Sequence, residues 1–239
     1  MSFLKNLGKD KDIQQETDSL GGGAKESGLY KCVVEAAYLG VSKNGANSIT
    51  IVAKSEEGHQ FRETLWVTNK EGKEFYIYND EKRFLPGYNV ANAIALLTTG
   101  YELADLDDPE ERTLNIYDFD EKKELPTQVD CLTQLHGEEI WLGILKEIQD
   151  KTKANPATGK YEPTGETREV NVIDKVFRAE SGLTVAEARL GQDTGDFMDK
   201  WVNKWSGKTR DKSKGAAAAG KAGAPNQSAA KPKSSLFKK

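Results

Sequence analysis

A mainly β fold, built as a five-stranded antiparallel barrel with an inserted helix, is predicted by three features of this chain. Short β-rich runs alternate apolar and polar residues with period two, as strands with one buried face must. Glycine-containing turns separate the first three runs at hairpin spacing. Only 37% of the 239 residues are hydrophobic and the mean hydropathy is −0.66, so a sizeable fraction is expected to stay outside any core.

Residues 1–27 are polar and aperiodic and end in Gly21-Gly22-Gly23; they read as a disordered lead-in. Leu29–Leu39 (LYKCVVEAAYL) is a long first strand, broken at Ser42-Lys43-Asn44-Gly45, where Asn-Gly signals a two-residue hairpin. Ser48–Lys54 returns, and Glu57-Gly58 turns the chain into a third strand at 59–68. There Phe61, Leu65 and Val67 point to the core, while Arg62, Thr64 and Trp66 point away from it. After Glu71-Gly72 comes a short strand, Phe75–Tyr78, and Pro86-Gly87 reads as a stop. Tyr88–Thr99 is a helix with Val90, Ile94 and Leu97 on one face and Gly100 as its C-terminal stop.

The second half is more polar. Residues 102–124 hold ten Asp/Glu against Arg112, Lys122 and Lys123, with a short strand at Thr113–Phe119. Ile140–Ile148 suits helix or strand, and the alternation of Ile140, Leu142 and Ile144 favours strand. Residues 151–168 read as a Pro/Gly/Thr-rich loop and Glu169–Phe177 as the final strand. Two short helices follow, Thr184–Leu190 and Asp196–Trp205, the latter with Phe197, Trp201 and Trp205 on one face. Beyond Gly207 the chain is low-complexity linker. The predicted organisation is therefore a lead-in (1–27), a barrel domain (28–180), a helical extension (181–207) and a flexible basic tail (208–239).

Three strands in a meander, a helix, then two strands is the order of an OB-fold barrel. That barrel binds oligonucleotides on its strand 2–3 face and with its 1–2 and 4–5 loops. Those regions hold cations and aromatics here: Lys43 in the first loop, Lys54, Arg62 and Trp66 on the face, and Lys151, Lys153, Lys160, Tyr161 and Arg168 in the second loop. The block Phe61–Phe84 adds Lys70, Lys73, Phe75, Tyr76 and Tyr78. Aromatic faces among cations suit a flexible polynucleotide, whose bases stack and whose phosphates need positive charge. Trp66 has a plainer alternative, packing under the loop that follows it.

The net charge of −4 hides a division. Residues 208–239 carry nine Lys/Arg and one acid, while the other 207 residues carry 25 Lys/Arg against 37 Asp/Glu. An acidic body cannot hold DNA by bulk charge, so any DNA site must be a local groove; the acidic region would repel DNA and keep a strand in that groove. Cys32, Cys131, His59 and His136 have no metal-ligand spacing. No cofactor motif and no enzyme motif is present, and no apolar run is long enough to span a bilayer. The start of the chain has no secretory h-region, so a reducing cytoplasm is expected. Two rivals remain. One is an interaction adaptor working through the tail, with Leu236, Phe237, Lys238 and Lys239 as its docking residues. The other is a metal-dependent nuclease using the acids near Asp118, Asp120 and Glu124.

The blocks GLYKCVVEAAYLGVSKNG (28–45), ETLWVTNKEGKEFYI (63–77), FLPGYNVANAIALLTTG (84–100) and YEPTGETREVNVIDKVF (161–177) resemble the single-stranded DNA-binding proteins of short-tailed lytic bacteriophages. The resemblance covers roughly residues 28–205 and is strongest to phages that carry their own RNA polymerase into the cell. It implies an OB-fold that coats single-stranded DNA in replication and recombination, in the cytoplasm of an infected bacterial host. It also implies a part in transcription, by bringing a phage or host RNA polymerase onto melted DNA. The chain departs from bacterial single-strand binders, whose tails are acidic; its basic tail points to a partner with an acidic surface.

Overall fold

A computed structural model describes residues 23–118, 121–156 and 161–214. The chain opens with β1 (Gly28–Val41), β2 (Asn47–Ser55) and β3 (Gln60–Trp66), then a small hairpin of β4 (Phe75–Tyr78) and β5 (Glu81–Phe84). Helix α1 (Pro86–Thr99) leads to a ribbon of β6 (Glu110–Asp118) and β7 (Lys123–Cys131). The long strands β8 (Glu139–Ala154) and β9 (Tyr161–Arg178) follow, then α2 (Val185–Arg189), α3 (Phe197–Trp205) and β10 (Thr209–Asp211). Strand predominates, as predicted. The main sheet runs β3-β2-β1-β8-β9 with every neighbour antiparallel, and β10 adds in parallel to β8.

Alternation decides which face is buried. Phe61, Leu65 and Val67 of the third strand and its exit are buried with Ile49, Ile51, Ile140, Leu142 and Ile144, and α1 covers this core with Ile94 and Leu97. A second, smaller cluster joins Leu145, Phe177 and Trp201 on the other side of β8. There Gly143 matters for its missing side chain: a Cβ would lie 3.1 Å from the Trp201 ring.

Several expectations need correction. The Asn-Gly turn lies inside a longer loop, Ser42–Ala46, closed by Ser42 N–H to Ala46 O (2.8 Å), with Gly45 at φ +84°. Pro86-Gly87 starts a helix instead of stopping the chain, because proline's fixed φ and missing N–H suit the first helical turn. Asn79 and Asp80, both at positive φ, form the tight turn that returns β4 as β5. Pro126 hid β7, yet it faces Asn115 in a ribbon where only one edge is paired at that point. The segment 151–168 is no loop: β8 runs out to Ala154 and β9 back from Tyr161, and Gly165 (φ +86°) and Pro163 are absorbed near a register shift.

Both ends of the body also reach further than predicted. Lys25 N–H donates to Asn171 Oδ1 (2.8 Å), and buried Ser27 accepts from Lys146 N–H (2.8 Å) and donates to Lys208 O (2.5 Å). Residues 208–214 are not tail. The β1–β8 ladder ends at Gly28 opposite Ile144, and β10 takes over that edge of β8 at Lys146. The backbone groups there need a partner, and a polar segment supplies one. Residues 1–22 and 215–239 lie outside the described residues.

Gly87 is a tight joint between β3 and α1. A Cβ there would fall 2.4 Å from the Trp66 carbonyl oxygen and 2.7 Å from its nitrogen. Gly87→Ala should therefore push α1 off β3, costing about 1–3 kcal/mol and changing the emission of the exposed Trp66. A thermal melt and a fluorescence spectrum check this; an unchanged midpoint would refute the contact.

Candidate nucleic-acid interface

The outward face of β1–β3 is built from small residues flanked by large ones. Ser48 pairs with Trp66, Thr50 with Thr64 and Val52 with Arg62, while Tyr38 stands across from Thr50. The two threonine hydroxyls bond each other at 2.9 Å. Arg62 donates to the Tyr38 hydroxyl (2.5 Å) and lies over its ring, 5.9 Å from the centroid, so the guanidinium is held in place on this face. Trp66 is 47% exposed.

Trp66 also stands at the lip of a cleft of about 1090 Å³ between β3 and β9. One wall is aromatic: Trp66, Tyr76, Phe84 and Tyr88, the last two stacked at 4.7 Å and 19°. The lining also holds Lys175, Arg189, Arg210 and Lys212. Most of those charges are committed. Arg189 pairs with Glu102 at 2.5 Å, and Arg210 and Lys212 bind Glu147. Lys175 is exposed and lies 5.8 Å over the Phe197 ring. Glu63 lies on the core side of β3 and accepts the Ile173 N–H of β9. Burial pushes its pKa up to about 7, and Glu102, Glu147 and Asp174 also line the cleft. Hydrogen bonds from Asn92 and Arg189 hold Glu102 below the usual carboxylate range.

The predicted residues do not form one cluster. Trp66 and Tyr76 come together in the cleft, whereas Arg62 lies four residues along β3 from Trp66, against Tyr38. Tyr78, exposed under Arg83 (4.8 Å), and Phe75, under Lys82 (4.6 Å), flank them on the β4–β5 hairpin; Lys70 and Lys73 are exposed on the turn before it, Lys73 bonded to Glu71 at 2.9 Å. Lys43 is at a hairpin tip and Lys54 sits 3.8 Å from Glu35, both exposed and away from the cleft lining. Lys151, Lys153, Tyr161 and Arg168 lie on the β8–β9 arm, with Tyr161 73% exposed and Lys151 paired to Glu166 at 3.0 Å. Lys160, Leu236, Phe237, Lys238 and Lys239 lie outside the described residues.

Sequence reasoning missed Tyr88, Lys175 and Arg189 as cleft residues. Tyr88 was visible only as the start of a helix, and Lys175 only as the polar step of an alternating strand. Nothing local ties either to Trp66. Chemically, the site offers ring faces for stacking and a few cations for phosphates. Among the described residues no three His, Cys, Asp or Glu side chains converge as a metal site would require, and no helix is long and apolar enough to cross a membrane. No family model matches the chain, and no curated protein matches it either.

Proposed function

We propose that the protein binds single-stranded DNA without sequence specificity, stacking bases on Trp66 and the adjoining aromatic wall. One observation carries this reading: an indole left 47% exposed at the mouth of an aromatic-walled cleft, on a strand face that further along carries a fixed arginine. Stacking on such a ring requires bases released from a duplex partner. The strand order β3-β2-β1-β8-β9, with a helix between the third and fourth of these along the chain, is that of an OB-fold. We read the sheet as such a barrel whose β3–β9 seam is bridged by the Glu63 carboxylate in place of a backbone ladder. The resemblance of residues 28–205 to phage single-strand binders supports a role in phage DNA replication and recombination in the host cytoplasm, with recruitment of an RNA polymerase as a role in transcription. The adaptor reading loses part of its basis, since Arg210 and Lys212 serve the body.

A salt-titrated binding assay tests the proposal. Affinity for a single-stranded oligonucleotide should far exceed that for the matching duplex. The log–log salt slope should be shallow, about 0.7 per phosphate and so roughly 3 for four contacts. Equal affinity for both forms at one salt concentration would sink the reading.

A further inference from the structure

The β6–β7 ribbon is amphipathic. Its register places Leu114, Ile116, Leu125 and Val129 on one face, and none of them belongs to either core cluster. The ribbon joins the main sheet at a single bridge, Tyr38 to Cys131. At its base lies a pocket of about 580 Å³, with Leu39, Leu106 and Val129 in its lining and Asp107, Asp108 and Asp130 among them. Asp107 accepts a hydrogen bond from Gln134 (2.6 Å), and among the described residues none of these three acids takes part in an ion pair. The pocket is thus apolar within and negative at its edge.

The chain contains a segment of complementary chemistry. Leu236-Phe237 is followed directly by Lys238-Lys239, and residues 215–239 carry five lysines and no acid. Residues 102–131 carry eleven Asp/Glu against three Lys/Arg. The similar string Ser2-Phe3-Leu4-Lys5 fits less well, since Asp10, Asp12, Glu16 and Asp18 follow it.

Distance favours a contact between copies. The described body ends at Lys214, whose N–H bonds Asp150 well out on β8, whereas the pocket sits at the far end of β1. Along the sheet these points are separated by roughly 50 Å of strand at about 3.3 Å per residue. Twenty-one residues separate Lys214 from Leu236, and an unconstrained chain of that length spans about 26 Å on average. We propose that Leu236-Phe237-Lys238-Lys239 of one copy docks in the β6–β7 pocket of the next, with Phe237 as the buried anchor and the lysines against Asp107, Asp108 and Asp130. Such a head-to-tail contact is heterologous and builds a ring where the rotation closes and an open row of protomers where it does not.

The test uses the full chain without DNA, so its outcome is independent of the DNA-binding reading. Sedimentation at low salt should show concentration-dependent association that weakens as salt screens the charges. Phe237→Ala should weaken it about ten-fold or more, as loss of an aromatic anchor does. A chain with Lys238→Glu and Lys239→Glu, and a chain with Asp108→Lys and Asp130→Lys, should each fail to self-associate. Mixing those two chains should restore association between them, which also shows that both are folded. A chain monomeric at every concentration, association indifferent to Phe237→Ala, or a mixture that fails to associate would each overturn the proposal.

Discussion

Trp66→Ala should lower single-strand affinity by about 1–3 kcal/mol, the usual worth of one base–aromatic stack, without loss of the fold. The side chain is 47% exposed, and the inward residues Phe61, Leu65 and Val67 that anchor β3 are untouched. Anisotropy of a labelled oligonucleotide measures the first effect and a thermal melt the second. The other tryptophans, Trp141, Trp201 and Trp205, are buried or half-buried. Quenching of wild-type emission by single strands should therefore come mainly from Trp66 and disappear in the variant. Trp66→Phe, which keeps a ring, should recover much of the affinity. A Trp66→Ala protein that melts early while binding normally would mean that the indole serves the fold.

The largest effect on stability is expected at Arg210→Ala. Glu147 is fully buried on β8, and its carboxylate is held by Arg210, by Lys212 (2.9 Å) and by Gln149 (2.8 Å). Arg210 also reaches Asp174 at 2.9 Å, and Trp201 Nε1–H donates to the same carboxylate at 2.8 Å. Removing the arginine leaves a buried charge short of partners, which costs about 3 kcal/mol and should lower the melting midpoint by roughly 10 °C in a body of this size. Burial alone would raise the pKa of Glu147, but the bonds from Lys212, Gln149 and Arg210 outweigh it and hold the pKa below the usual range. Because that folded-state pKa is depressed, the stabilisation is present above the unfolded carboxylate value and is lost as pH falls through the folded one. The penalty of Arg210→Ala should accordingly shrink in acid, where Glu147 is protonated in either protein. A chain ending at Lys214 should melt like the full chain, and one ending at Gly207 should not. Equal midpoints for those two would show that β10 contributes nothing.

What could be read from the residues in order was the part whose physics is local. Alternation along 29–39, 48–54 and 60–68 dictates which side chains are buried, and Phe61, Leu65 and Trp66 lie on the faces that alternation assigns. Gly100 ends α1 in the left-handed conformation, and Thr184 with Glu187 forms the capping box that starts α2. Trp66 and Tyr76 were legible as ligand candidates because aromatics beside cations are rare on a polar face. The strands that were missed, β5, β7 and β10, carry charge or proline, and their partners rather than their composition make them strands.

The sequence by itself thus determined the class of fold, the order of its main strands and the aromatic block that faces outward. The tertiary structure alone decided that 151–154 and 161–168 belong to the long strands β8 and β9, that 23–27 and 208–214 belong to the body, and that Trp66 shares a cleft with Tyr88 and Lys175. Each of those outcomes depends on backbone hydrogen bonds or side-chain contacts between segments far apart in the chain. A residue's own chemistry sets which face it prefers, but only the folded sheet supplies the partner that satisfies it.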